Sequence, residues 1–116
     1  MKILLVDDHK IIRDGLRAIL EKHQDMVVVG EAANGHEAIA LVEQLSPGVV
    51  IIDVTMPELN GIDATRRITS AHPEVKVIGL SMNLDRRYVL AMLAAGAVGY
   101  LLKNAAAEEL IRAIHA

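Results

Sequence analysis

The chain has 116 residues, 53% of them hydrophobic, a formal net charge of −3 and no cysteine. That length accommodates one domain with a full core and leaves no room for a second module, while the composition excludes disorder, disulfides and thiolate metal sites. A mildly acidic chain whose only aromatics are Tyr88 and Tyr100 lacks the basic face and the stacking platforms that nucleic-acid binding by this domain alone would require, and its longest apolar runs are too short to cross a bilayer.

In chain order, residues 3–6 form a strand-like apolar run that stops at Asp7-Asp8. A secretory leader would need a longer apolar stretch followed by small residues, so a cytoplasmic protein is expected. Residues 9–23 place Ile12, Leu16, Ile19 and Leu20 at helical spacing. Residues 26–29 read as a second strand. Residues 34–45 read as a helix, with Asn34 as N-cap and Glu37 as its capping-box partner. A third strand at 49–52 precedes a helix at 61–71, and a fourth at 75–80 precedes one at 84–95, which Gly96 ends. The fifth strand, 98–102, is followed by an amphipathic helix over 105–116 that carries no Gly, Asn or Pro stop signal. The expectation is a chain cut from something longer, with an output domain missing.

Regular alternation of strands and helices predicts an α/β domain with a parallel sheet and helices on both faces. Nearly unbroken apolar strands agree, because such strands are buried on both sides. Five strands favour a single flavodoxin-like domain with order 2-1-3-4-5.

Four of the five runs end in chemically active residues: Val6 in Asp7-Asp8, Ile52 in Asp53, Leu80 in Ser81 and Leu102 in Lys103. Ligands of open α/β sheets bind beyond the carboxyl ends of the strands, where strand order reverses. Three carboxylates would meet there and repel one another. A hard divalent cation relieves that repulsion and accepts oxygen ligands, as Mg²⁺ does. A carboxylate can accept a phosphoryl group, Lys103 can neutralise it, and Ser81 can donate a hydrogen bond to it. Taken singly, each residue has a plainer explanation: Asp7 or Asp8 as a helix cap, Ser81 as a turn residue, Lys103 as a solvated surface group. Their coincidence at four strand ends favours a site.

Asp7-Asp8, Asp53 after Val-Val-Ile-Ile, Met56-Pro57, Gly61, Ser81 and Gly99-Tyr100-Leu101-Leu102-Lys103 together resemble the receiver domain of bacterial two-component response regulators. The resemblance spans the whole chain, and Asp-Asp-His and Gly-Tyr-Leu-Leu-Lys are most similar to the NarL/FixJ-like subfamily with a C-terminal LuxR-type helix-turn-helix. It implies a phosphoprotein in which Asp53 takes a phosphoryl group from a sensor histidine kinase. It further implies Mg²⁺ held by the side chains of Asp8 and Asp53, by the Thr55 backbone carbonyl and, through water, by Asp7. Ser81 and Tyr100 correspond to the switch pair and Lys103 to the lysine that pairs with the phosphorylated carboxylate. Such proteins can form homodimers on phosphorylation and reach DNA only through the output domain; no membrane is involved. For Tyr100 the plainer role is an aromatic covering the core, and Tyr88 reads as a packing or surface residue of the fourth helix. Asn104 stands where many receivers have proline after the lysine, a departure from the family pattern, and Thr55 and Asn83 are expected to tune phosphoryl lifetime.

Three other functions compete. A stand-alone receiver would act by protein contact only. A haloacid-dehalogenase-type phosphohydrolase would want a second acid where Thr55 stands, and a dinucleotide-binding domain would want Gly-x-Gly-x-x-Gly after a strand. The five histidines, 9, 23, 36, 72 and 115, show no paired ligand spacing. His9, beside the acids, could touch the site, but is expected to be a helix-start surface residue.

Overall fold

The structure is a computed structural model that describes residues 1–54, 56, 60–82, 85–103 and 107–115. Five strands alternate with five helices: β1 (Lys2–Val6), α1 (Lys10–Leu20), β2 (Val27–Ala32), α2 (Gly35–Leu45), β3 (Val49–Asp53), α3 (Gly61–Ala71), β4 (Lys76–Ser81), α4 (Arg86–Ala94), β5 (Gly99–Leu102) and α5 (Ala107–His115). All ladders are parallel and the sheet order is β2-β1-β3-β4-β5, as the alternation predicts.

Period-two alternation of the strands divides the core between the two faces of the sheet. Leu4, Val6, Val50, Ile52 and Val77 point to one side, where they meet Ala38 and Val42 of α2, Ala64 and Ile68 of α3 and Met92 of α4. Ile3, Leu5, Val49, Ile51, Ile78 and Leu80 point to the other, against Leu20 of α1 and Leu110 and Ile114 of α5. Burial on both faces is why these strands carry almost no polar residue until they end.

Local signals act as expected at several helix ends. Asn34 caps α2 by accepting from the Glu37 N–H at 2.9 Å. The reciprocal half of the box is displaced, because Glu37 Oε1 accepts from Ala33 N–H at 3.0 Å and not from the Asn34 N–H. Gly96 adopts φ +109° past the end of α4, the left-handed conformation that favours glycine. The helix itself starts later than its apolar pattern suggests, since Asp85 caps it by accepting from Arg87 N–H at 2.9 Å. Strand β2 runs three residues further than its apolar run: Gly30, Glu31 and Ala32 pair with Leu4, Leu5 and Val6 of β1. Gly30 packs under Leu45 of α2, where a Cβ would meet Leu45 Cδ1 at 2.8 Å. The expected helix positions 84, 105, 106 and 116 lie outside the described residues.

Candidate functional site

Strand register brings the polar strand ends together. Asp7 extends β1 by one step, donating its N–H to Ala32 O at 3.0 Å. Asp53 closes β3 opposite Leu80, and Ser81 closes β4 opposite Leu102. Lys103 follows β5, its N–H donating to Ser81 O at 2.7 Å. Beyond Asp53 the backbone is anchored twice: Val54 N–H donates to Leu80 O at 3.1 Å, and Gly61 N–H donates to Val54 O at 2.9 Å. Gly61 opens α3 directly against this segment. A Cβ there would collide with the Asp53 carbonyl oxygen and lie 2.9 Å from Val54 Cα, so only glycine lets α3 approach the acceptor strand this closely.

Asp7 and Asp53 are buried, each with a side chain 2% exposed. Lys103 Nζ bridges them at 2.9 Å from Asp7 Oδ2 and 3.0 Å from Asp53 Oδ2. Asp7 Oδ2 accepts no directed hydrogen bond among the described residues, so that contact is an ion pair. Burial acts to lower the Lys103 pKa, but the contacts with Asp7 and Asp53 and their charges outweigh it and hold the ammonium above the ordinary lysine value. Asp8 lies at the rim, its side chain 30% exposed. Among the described residues, three carboxylates (Asp7, Asp8 and Asp53) meet the one ammonium of Lys103, an excess of negative charge that suits a cation. Ligand atoms of Asp7, Asp8, His9 and Asp53 all lie within 4.8 Å of one another, and a carboxylate-rich donor set of this kind fits a hard divalent ion.

Of the residues singled out from the sequence, Asp7, Asp8, Asp53 and Lys103 converge on one pocket. Ser81 is buried at its edge. Asp7 does not cap α1. The N-cap is His9, which makes no side-chain capping bond, and Asp7 Oδ1 instead accepts the His9 N–H at 2.9 Å in the turn before the helix. Tyr100 sits further along β5, opposite Gly79, half-buried against the α2–α4 side of the core. Its hydroxyl is buried without a hydrogen-bond partner among the described residues. Tyr88 is at the surface of α4. Thr55, Asn83 and Asn104 lie outside the described residues.

His9 is the helix-start surface residue expected, its ring 65% exposed, and it also touches the site: Nδ1 stands 3.1 Å from Asp7 Oδ1 and 3.2 Å from Asp8 Oδ1. The cause is the turn: Asp7 Oδ1 takes the His9 backbone N–H, which folds the ring back over both acids. Sequence reasoning also missed the support under the pocket. Arg13 and Arg17 of α1 grip Glu31 of β2 at 2.9 and 2.8 Å, and Arg13 also donates to the Asp7 carbonyl oxygen. Their i, i+4 spacing was a visible signal; the partner on β2 was not. Outside the pocket, His9, Ile11, Ile12, Met82 and Lys103 line a mainly apolar depression of about 360 Å³.

Comparison with known proteins agrees with this geometry. The model of the response regulator receiver domain family matches residues 3–115. The chain is 40% identical over 114 residues to the transcriptional regulatory protein DegU of Brevibacillus brevis, covering 98% of this chain and 48% of that protein. It is 40% identical over 116 residues to LiaR of Bacillus subtilis, covering all of this chain and 55% of that protein. It thus spans about half the length of the curated relatives it matches. Among solved structures, a LuxR-family response regulator from an Aurantimonas species superposes with a TM-score of 0.93 at 37% identity, covering 98% of this chain and 81% of that one. The receiver domain of NarL from Mycobacterium tuberculosis gives 0.93 at 29% identity, covering 98% and 92%. With the sheet order and the strand-end pocket, these matches show that the chain belongs to the response regulator receiver domain family of two-component signalling proteins.

Proposed function

We propose that Asp53 is the phosphoacceptor of this receiver and that a sensor histidine kinase supplies the phosphoryl group from a phosphohistidine. The observation that carries this reading is the buried Asp53 carboxylate, held by Lys103 at 3.0 Å beside two further acids. In the transfer, a carboxylate oxygen of Asp53 forms a bond to phosphorus as the phosphorus–nitrogen bond to the donor breaks, and the departing nitrogen keeps the electron pair. Asp8 and Asp53 would hold Mg²⁺ by their side chains, with Thr55, which lies outside the described residues, and a water-linked Asp7 as the further ligands the resemblance implies, and the ion would supply charge neutralisation for the incoming phosphoryl oxygens. Lys103 pairs with the phosphorylated carboxylate, and Ser81 donates a hydrogen bond to a phosphoryl oxygen. The added charge, near −2, then biases the region around Tyr100, α4 and α5. The domain thereby catalyses its own phosphorylation.

The apolar depression beside the pocket, with Ile11 84% and Met82 73% exposed, favours a protein donor over a small metabolite. Among the described residues no helix is long and apolar enough to cross a membrane, in keeping with a cytoplasmic location. The relatives' names speak of transcription, which supports an output through a C-terminal DNA-binding domain in the full-length protein; a homodimer formed on phosphorylation belongs to the same reading through the resemblance alone. Incubation with acetyl phosphate and Mg²⁺ should add one phosphoryl group by intact mass, and Asp53→Ala should abolish it. Full labelling of Asp53→Ala would remove Asp53 from the role.

A further inference from the structure

We propose that His9 is a nitrogen ligand of the metal ion in this pocket and makes the site favour first-row transition metals far more than four oxygen donors would. The inference rests on the metal-binding reading above and concerns a residue outside its set of ligands. His9 Nδ1 lies 3.1 Å from Asp7 Oδ1 and 3.2 Å from Asp8 Oδ1. For metal–ligand bonds of about 2.1 Å, adjacent corners of an octahedron are about 3.0 Å apart and opposite corners about 4.2 Å. The 3.2 Å between His9 Nδ1 and Asp8 Oδ1 therefore matches an octahedral edge, Asp7 reaching the ion through water, and all four groups lie within 4.8 Å of one another, a little more than the span of one coordination shell.

Proton placement is compatible with ligation. Carboxylates offer only lone pairs, so in the absence of an ion Nδ1 meets Asp7 and Asp8 as an N–H donor. With an ion bound, the neutral ring would carry its proton on Nε2 instead, and the Nδ1 lone pair would join those of Asp8 and Asp53. The ring is 65% exposed, so Nε2 can be satisfied by water. Imidazole contributes little to Mg²⁺, which prefers oxygen, and much to Mn²⁺, Co²⁺, Ni²⁺ and Zn²⁺. His9 thus alters which ion the pocket selects while leaving the acids that serve phosphoryl transfer in place.

The test uses the 116-residue chain and its His9→Ala variant, which loses no helix cap because the His9 side chain makes none. Calorimetric titration with MgCl₂ and NiCl₂ reads selectivity, and pulsed electron paramagnetic resonance of the Mn²⁺-loaded protein reads directly bound nitrogen. Expected are a ¹⁴N modulation in the wild type that vanishes in His9→Ala, a Ni²⁺ affinity lower by about tenfold or more, the scale on which even outer-shell partners act, and a Mg²⁺ affinity nearly unchanged. Equal Ni²⁺ affinities, no ¹⁴N signal, or a signal that survives His9→Ala would overturn the role of His9 while the acidic metal site stood. Divalent binding that persists undiminished in Asp53→Asn would instead overturn the metal-site reading itself.

Discussion

Replacing Lys103 by Met removes the ammonium while keeping an unbranched side chain of similar length. In the wild type that ammonium lies about equidistant from Asp7 and Asp53, both 2% exposed. The variant removes the ammonium from between two buried carboxylates. Removing one partner of a buried ion pair costs about 3–5 kcal/mol; the pocket opens to solvent at Asp8, so about 3 kcal/mol is expected at neutral pH without metal. Urea unfolding with a chelator present should show that loss as a lower midpoint at unchanged slope. Mg²⁺ should recover part of it, since the ion supplies the missing positive charge, and should stabilise Lys103→Met more than the wild type. The Lys103 pKa is raised on folding, so its contribution is complete below the ordinary lysine value and disappears only as pH rises through the higher folded one. A variant as stable as the wild type at neutral pH in chelator would refute the electrostatic account of the pocket.

Gly61→Ala drives a methyl group into the Asp53 carbonyl; overpacking of this kind costs about 1–3 kcal/mol, and labelling by acetyl phosphate should slow together with stability, both readable on one preparation. Burial acts to raise the Glu31 pKa, but Arg17 and Arg13 hold the carboxyl below the usual glutamate range. The stability it contributes is therefore present above the ordinary value and is lost as pH falls through the lowered one. Glu31→Gln should remove about 1 kcal/mol at neutral pH and flatten the acid limb of the stability profile; an unchanged limb would count against this ion pair. Tyr100→Phe deletes a buried hydroxyl with no partner among the described residues, so the unphosphorylated domain should be no less stable, and a loss of about 1 kcal/mol or more would reveal a hydrogen bond to that oxygen.

Legibility of the fold and the site followed the range of the forces involved. Apolar runs ending at Asp7, Asp53, Ser81 and Lys103 are local patterns, and they were sufficient for the parallel sheet, its order and the acids at its carboxyl edge. Caps such as Asn34–Glu37 were visible for the same reason, because both partners lie within one helical turn. The extension of β2 through Gly30-Glu31-Ala32 was not visible, since those residues pair because β1 lies beside them and not through any preference of their own.

Within the site, residue types could be read from the chain but distances could not. That Lys103 bridges Asp7 and Asp53, that Gly61 packs against the Asp53 carbonyl, and that Arg13 holds both Glu31 and the Asp7 backbone all depend on how the elements pack in the fold. His9 illustrates the division. Its place before a helix suggested a solvent-facing side chain, and the ring is exposed, but only the fold shows that it also lies against two acids, with its own N–H donating to Asp7 Oδ1. The sequence by itself determined which groups stand at the ends of the strands, because burial of the strands forbids them elsewhere. Tertiary packing alone decided how closely they meet, and with it the charge that the pocket must bind.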